Sequence, residues 1–150
     1  MYRIVRKQFI RESIDVCWDF FCSPKNLEKI TPNNLGFIIK TQLPDNMYQG
    51  LFIEYTVKPV FGIPMNWITE ITHIKNMEYF VDEQRKGPYK IWHHEHHFKL
   101  VEGGIEMTDV VSYVLPFGIL GKLAHVLFVK SALKKIFDYR HQKIEDIFNK

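Results

Sequence analysis

Lys90-Ile91-Trp92-His93-His94-Glu95-His96-His97-Phe98-Lys99-Leu100 reads as a β-strand with polar groups on the face a protein normally keeps apolar. Side chains on a strand alternate between two faces. Phe98 and Leu100 assign the inward face, which His96, His94 and Trp92 then share by parity. His93, Glu95, His97 and Lys99 point outward onto a solvated face. Two histidines and a tryptophan on the buried side predict an internal pocket with a polar lining.

The neighbouring strands follow from the turns on either side. With Gly103-Gly104 as a two-residue turn, Glu102 and Ile105 flank it, Leu100 pairs with Met107 and Phe98 faces Asp109. With Gly87-Pro88-Tyr89 as a three-residue loop, Gln84 faces Trp92, Asp82 faces His94 and Phe80 faces His96. A one-residue slip would turn every inward side chain outward, so the apolar positions oppose it. The concave face then carries Asp82, Gln84, His94, His96 and Asp109 among Trp67, Phe80, Trp92 and Tyr113. Directly opposed residues lie about 5 Å apart and diagonal neighbours about 7–8 Å. Asp82–His94 is the expected direct pair and His96–Asp109 the diagonal one. A buried carboxylate without a partner is very costly, so pairing of this kind is close to required. An adjacent acid favours the charged form of each histidine, and burial opposes it.

Residues 2–11 alternate as a first strand. Ser13 is a good N-cap for a helix over about 14–22, and Pro24 begins a second short helical segment through Ile30. Thr31-Pro32-Asn33-Asn34 ends it. From there to Pro116 the pattern is β, with turns at Pro44-Asp45-Asn46, Gly62-Ile63-Pro64, Lys75-Asn76, Gly87-Pro88-Tyr89 and Gly103-Gly104, giving about six strands in meander order. After Pro116-Phe117-Gly118 a helix runs to the C-terminus. Val126, Val129, Leu133, Ile136, Phe137, Ile144 and Ile147 form its apolar stripe. About thirty helical residues span roughly 45 Å, enough to cross a whole curved sheet. Arg140 falls on the same stripe, placed either to reach an acidic pocket residue or a ligand carboxylate or to extend past the stripe to water.

This order of elements resembles the helix-grip superfamily of START domains, polyketide cyclases and the birch-pollen-allergen group (SRPBCC). The small, uncharacterised bacterial ligand-binding branch described as polyketide cyclase-like is the nearest part of it. The likeness is carried by Trp67-Ile68-Thr69-Glu70-Ile71, by Phe80-Val81-Asp82-Glu83-Gln84 with Gly87-Pro88-Tyr89, and by Trp92-His93-His94-Glu95-His96. Met107-Thr108-Asp109, Tyr113, Pro116-Phe117-Gly118 and Ile136-Phe137-Asp138-Tyr139-Arg140 continue it. The resemblance covers nearly the whole chain and implies an α+β fold: one domain over residues 1–150, with a curved antiparallel sheet of about seven strands wrapped around a long C-terminal helix and two short helices after the first strand. A superfamily with many activities implies a fold more firmly than a function.

The expected function is binding of a small-to-medium hydrophobic or aromatic molecule between the sheet and the C-terminal helix. Trp67, Phe80, Trp92 and Tyr113 would hold its body, and Asp82, Gln84, His94, His96, Asp109 and Arg140 its polar end. The bland alternative is a set of satisfied polar pairs that supports the sheet. The enzymatic alternative is a cyclase, dehydratase or hydrolase in which His94 or His96 moves a proton. Polyketide cyclases in the resembled superfamily act mainly by shaping a flexible ligand, so the sequence does not separate binder from catalyst. A third alternative is a membrane-surface or partner-binding module built on Pro116-Phe117-Gly118-Ile119-Leu120-Gly121 with Lys122, Lys130, Lys134 and Lys135, and on the apolar loop Phe61-Gly62-Ile63-Pro64-Met65. Such loops are read first as the rim of the cavity.

Other classes are poorly supported. A His-x-His strand with a nearby acid can ligate zinc, but each histidine is already assigned an acid, and neither metal nor cofactor is expected. Ser112 and Ser131 lack His/Asp partners, and no glycine-rich loop offers a phosphate cradle. The chain has 150 residues, 46% of them hydrophobic and 25% charged, and a net charge of +3. That is a globular composition, and no basic run lies beside an aromatic platform to suggest nucleic acid. No apolar signal segment or 18-residue apolar stretch is present. Cys17 and Cys22 lie five residues apart in one helix, too divergent for a disulfide, so they are read as packing residues of a cytoplasmic protein. Nothing in the pattern specifies an oligomeric state.

Overall fold

The structure is a computed structural model that describes residues 1–59 and 62–150. Its seven strands are β1 (Tyr2–Ile10), β2 (Ile38–Ile39), β3 (Phe52–Val57), β4 (Met65–Lys75), β5 (Tyr79–Lys86), β6 (Ile91–Val101) and β7 (Gly104–Val114). They form one antiparallel sheet in the order β1-β7-β6-β5-β4-β3-β2. β2 to β7 is the expected meander, and β1 closes the far edge beside β7. Register shifts in the β4–β5 pairing, between Ile68 and Thr69 and between Ile71 and His73, add twist and bend the sheet.

Helix α1 (Ile14–Phe21) starts where the Ser13 side chain accepts from the Val16 amide, an ordinary N-cap. Its buried face is Cys17, Trp18 and Phe21, packed on Phe80, Phe98, Ile105, Met107 and Ile144. The second helical segment expected over residues 24–30 is two short 3-10 turns, Pro24–Asn26 and Glu28–Ile30, with a third at Asn33–Leu35. Both cysteines are free and buried. Burial pushes the Cys17 thiol up to about 11 and that of Cys22 up to about 12, so neither is a reactive thiolate.

The C-terminal helix runs 31 residues from Gly118 to Phe148 but is not uniform. α2 (Gly118–Ala124) passes through a π turn, His125–Val129, into α3 (Lys130–Phe148). The π turn adds a residue to one turn and resets the phase of the face. Val129, Leu133, Phe137, Arg140 and Ile144 are buried, whereas Val126 and Ile147, both expected on the stripe, are exposed. β1 holds α3 in place: Gln8 Nε2 donates to the His141 carbonyl (2.9 Å) and to Glu145 Oε1 (2.7 Å), and Arg6 pairs with Asp138 at 3.0 Å.

The β6–β7 register differs from the expected one by two residues. The turn is Glu102-Gly103, with Val101 opposite Gly104, so Phe98 faces Met107 and His96 faces Asp109. A shift of two preserves every face, so the inward set is unchanged. Leu100 has inward parity yet is 68% exposed, because it lies beyond the edge of the core. On the β5–β6 side, Asp82 faces His94 and Phe80 faces His96 as expected, but pairing ends at Glu83–His93.

Candidate functional site

Between the concave face of the sheet and α3 lies a cavity of about 180 Å³, more than ten times the ~10–15 Å³ that one water needs. Inward positions of β3, β4 and β6 supply Ile53, Tyr55, Trp67, Thr69 and Trp92, α3 supplies Leu133, Ile136 and Phe137, and α1 with the following turns supplies Phe20, Leu27 and Ile30. One end is aromatic: the Trp67 ring meets Trp92 edge-on at 5.5 Å and stacks near Tyr55 at 5.9 Å, while Tyr89 lies 4.7 Å from Trp92. Edge and offset arrangements of this kind suit the ring quadrupoles.

The ionisable cluster of the wall is Asp82, His94, His96 and Arg140, with Asp109 directly behind. His96 Nε2 lies 2.8 Å from Asp82 Oδ2 and His96 Nδ1 2.8 Å from Asp109 Oδ1. His94 Nε2 lies 3.1 Å from Asp109 Oδ1, with its Nδ1 3.5 Å from Asp82 Oδ2. Each histidine therefore touches both acids, a tighter mesh than one pair apiece. Arg140 Nη2 closes it, 3.5 Å from Asp109 Oδ1 and 3.3 Å from His96 Nδ1. The arginine goes inward rather than out to water, since it is buried.

Charge states follow from these distances. An imidazole nitrogen 2.8 Å from a carboxylate oxygen needs a proton between them. Burial alone would raise the Asp109 carboxyl, but Arg140 and both histidines hold it well below the usual range, and Asp82 is held down against burial by the two histidines and Arg140. The protons therefore belong to the imidazoles. The two rings lie 3.8 Å apart, too close for both to be charged comfortably. Burial and the neighbouring His96 push His94 down, whereas His96 is raised because its bonds to Asp109 and Asp82 outweigh its own burial. With His96 charged and His94 neutral, two carboxylates balance one imidazolium and one guanidinium. The cluster is neutral as a whole, which is what makes its burial tolerable.

Three expected site residues sit elsewhere. Gln84 does not line the cavity; pairing stops before it, and its amide braces the loop, donating to the Tyr89 carbonyl (2.6 Å) and accepting from the Tyr89 amide (3.2 Å). Tyr113 is buried against Tyr89 and Trp92, but its hydroxyl pairs with His125 Nε2 at 2.8 Å instead of facing the cavity. Asp109 acts through the histidines rather than at the wall. Trp67, Phe80, Asp82, Trp92, His94, His96 and Arg140 are all brought to the cavity.

Tyr55, Thr69 and His125 were not singled out from sequence. Tyr55 and Thr69 bond to each other at 3.0 Å on the cavity wall, and the alternation Ile53-Tyr55-Val57 on β3 carries the signal for Tyr55. His125 stacks on Tyr2 at 3.5 Å in the π turn; a helical phase that changes partway along gives no sequence signal for it. Asp82, His94 and His96 also bring donor atoms within 4.8 Å of one another, the only such trio among the described residues. A cation there would have to displace the proton on His96 and lie beside the Arg140 charge. Buried N–H groups of two cavity-lining side chains, Trp67 Nε1 and Arg140 Nε, have no hydrogen-bond partner.

Solved structures share this architecture over nearly the full chain. A protein of Chromobacterium violaceum, CV1439, superposes with a TM-score of 0.72 at 10% identity, covering 99% of this chain and 98% of its own. A protein from Arthrobacter aurescens, solved by NMR, gives 0.69 at 10% identity, covering 96% and 86%. The major latex-like protein 151 of Panax ginseng gives 0.65 at 13% identity, covering 97% and 95%. At such identities the likeness is one of fold: the chain has a helix-grip fold of the kind seen in the ginseng protein. No protein-family model matches the chain, and no curated protein matches it in sequence.

Proposed function

We propose that this protein binds a small or medium-sized apolar molecule, aromatic or otherwise flat, in the cavity between sheet and helix, as a member of the ligand-binding branch of the helix-grip superfamily. The carrying observation is the cavity itself: 180 Å³ walled mostly by apolar and aromatic side chains, with one neutral, hydrogen-bonded charge cluster at its edge. Pockets of this composition, apolar with a few convergent polar groups, are the usual form of a small-molecule site. A ligand with a hydrogen-bond acceptor would also offset the cost of the unpaired Trp67 and Arg140 donors.

A fluorescence titration with N-phenyl-1-naphthylamine tests the reading, with native mass spectrometry to count the probe. One molecule per chain is expected. Leu133→Trp, which fills the cavity from α3, should weaken uptake about tenfold or more while the protein stays folded. No uptake by the wild type, or equal uptake by the variant, contradicts it.

Acid–base catalysis is the second reading, favoured by one observation: a neutral and a charged histidine stand side by side on the cavity wall, an arrangement able to give or take a proton. His94→Gln would then abolish turnover of a substrate while leaving its binding intact. Loss of both together would leave only the binding role.

A further inference from the structure

Past the sheet, the start of the C-terminal helix has an outward side that no strand covers. Ile119, Leu120, Leu123 and Val126 are between 55% and 82% exposed, and Phe117 projects at the head of the segment at 80%. Positions 119, 123 and 126 fall on one helical face. Phe117 has φ +66°, a backbone region that non-glycine residues enter only at a cost, and here the residue held in it is an exposed phenylalanine. A contiguous apolar surface of this kind on a folded chain marks an interaction site.

Its charge is one-sided. From Val110 to Phe137 the sequence has no Asp or Glu but four lysines, Lys122, Lys130, Lys134 and Lys135, all exposed. Lys134 is already paired with Asp138 one turn on, which leaves Lys122, Lys130 and Lys135 as the basic flank. Lys90, also exposed, joins them at this end, its amide bonded to the Val114 carbonyl. Two apolar grooves flank the segment. One, of about 330 Å³, lies between Leu120 and Pro88-Tyr89; the other, of about 470 Å³, lies between Leu127 and Ile136. The first shares Tyr89 with the ligand cavity, and the second shares Leu35 and Ile136 with it. The exposed apolar face therefore lies beside two grooves that share wall residues with the ligand cavity.

We propose that this face docks on an anionic lipid surface, so that an apolar ligand passes between membrane and cavity without crossing water. The inference rests on the ligand-binding reading and adds where the ligand comes from. Aliphatic side chains with a phenylalanine at the tip would enter the headgroup–acyl boundary, and the lysines would meet anionic headgroups. A second copy of the chain fits the same face less well, because a two-fold contact sets this patch against itself, and the segment from Val110 to Phe137 has no acid to meet the lysines. Docking is peripheral, as no helix among the described residues is long and apolar enough to cross a membrane.

Co-sedimentation with vesicles of equal parts phosphatidylglycerol and phosphatidylcholine provides the test, beside pure phosphatidylcholine and at low and high salt. The wild type should sediment with the anionic vesicles and release partly in salt. Ile119→Glu/Val126→Glu, and separately Lys122→Glu/Lys130→Glu, should lower the partition coefficient about tenfold or more. These residues line neither the cavity nor the grooves, so circular dichroism and naphthylamine uptake in solution should be unchanged. Absent sedimentation, or sedimentation indifferent to both variants, overturns the proposal. So does a dimer in light scattering that Ile119→Glu/Val126→Glu dissociates, which would assign the face to a second copy. Naphthylamine uptake without sedimentation defeats docking alone, whereas no uptake defeats the cavity reading and the transfer role with it.

Discussion

Asp109 sets the charge state of its neighbours. It is buried, bonded to both histidines and faced by Arg140, so Asp109→Asn leaves two buried positive groups, Arg140 and the His96 imidazolium, with the single carboxylate of Asp82 between them. Removing one partner of a buried ion pair costs about 3–5 kcal/mol, and urea unfolding should show a loss of that size. The same cluster fixes a pH profile. Below the ordinary histidine range the unfolded chain takes up a proton on His94 that the folded site refuses, so stability falls as pH drops; His125, also lowered chiefly by burial, adds to this limb. His96 is raised, so above its unfolded value near 6.5 the folded state holds a proton that the unfolded chain releases, and stability falls again as pH rises through the folded value. The two lowered carboxylates add a further loss at more acid pH, below the ordinary range near 4. Thermal melts from pH 5 to 8 should therefore peak near pH 6.5. A monotonic profile would show that the two histidines are not split between charged and neutral.

At the scale of elements, strand faces were legible in the sequence and helix phase was not. The inward set of β6, His94 and His96 included, followed from Phe98 and period-two alternation, and even a two-residue error at the Glu102-Gly103 turn left it intact. What changed was how closely acids and histidines meet: His96 faces Asp109 directly instead of diagonally, and each histidine reaches the second acid as well, because register decides partners while parity decides faces. The C-terminal helix had no such protection: one extra residue in the π turn moves Val126 outward and leaves His125 buried against Tyr113. Gln84 stays in β5, paired with Thr69 of β4, but β6 no longer lies beside it past Glu83–His93, and its amide turns to the Tyr89 backbone. Close approach also decides Gly121. A Cβ there would lie 2.1 Å from the Pro116 carbonyl oxygen, so Gly121→Ala should lose about 1–3 kcal/mol by overpacking despite the better helix propensity of alanine. A melt showing stabilisation would mean that α2 is free to shift away from the Pro116 turn.

For the whole molecule, fold and cavity arise from one arrangement. A sheet that bends around a helix cannot be filled by a single layer of side chains, and the gap is walled by large aromatics that pack edge to face instead of filling it. The wall residues Trp67, Phe80, Asp82, Trp92, His94 and His96 were readable from alternation, and Tyr55 could have been. The size of the gap was not, because it depends on how the 3-10 turns after α1 and the middle of α3 close over the sheet. The most direct test of the central claim is an NMR titration with N-phenyl-1-naphthylamine that follows the indole, methyl and backbone amide signals. The largest shifts should fall at Trp67, Trp92, Ile53 and Leu133, with the outer-face residues His93 and Lys99 unmoved. Shifts confined to the exposed helix face at Ile119, Leu123 and Val126, or none at all, would contradict an internal ligand site.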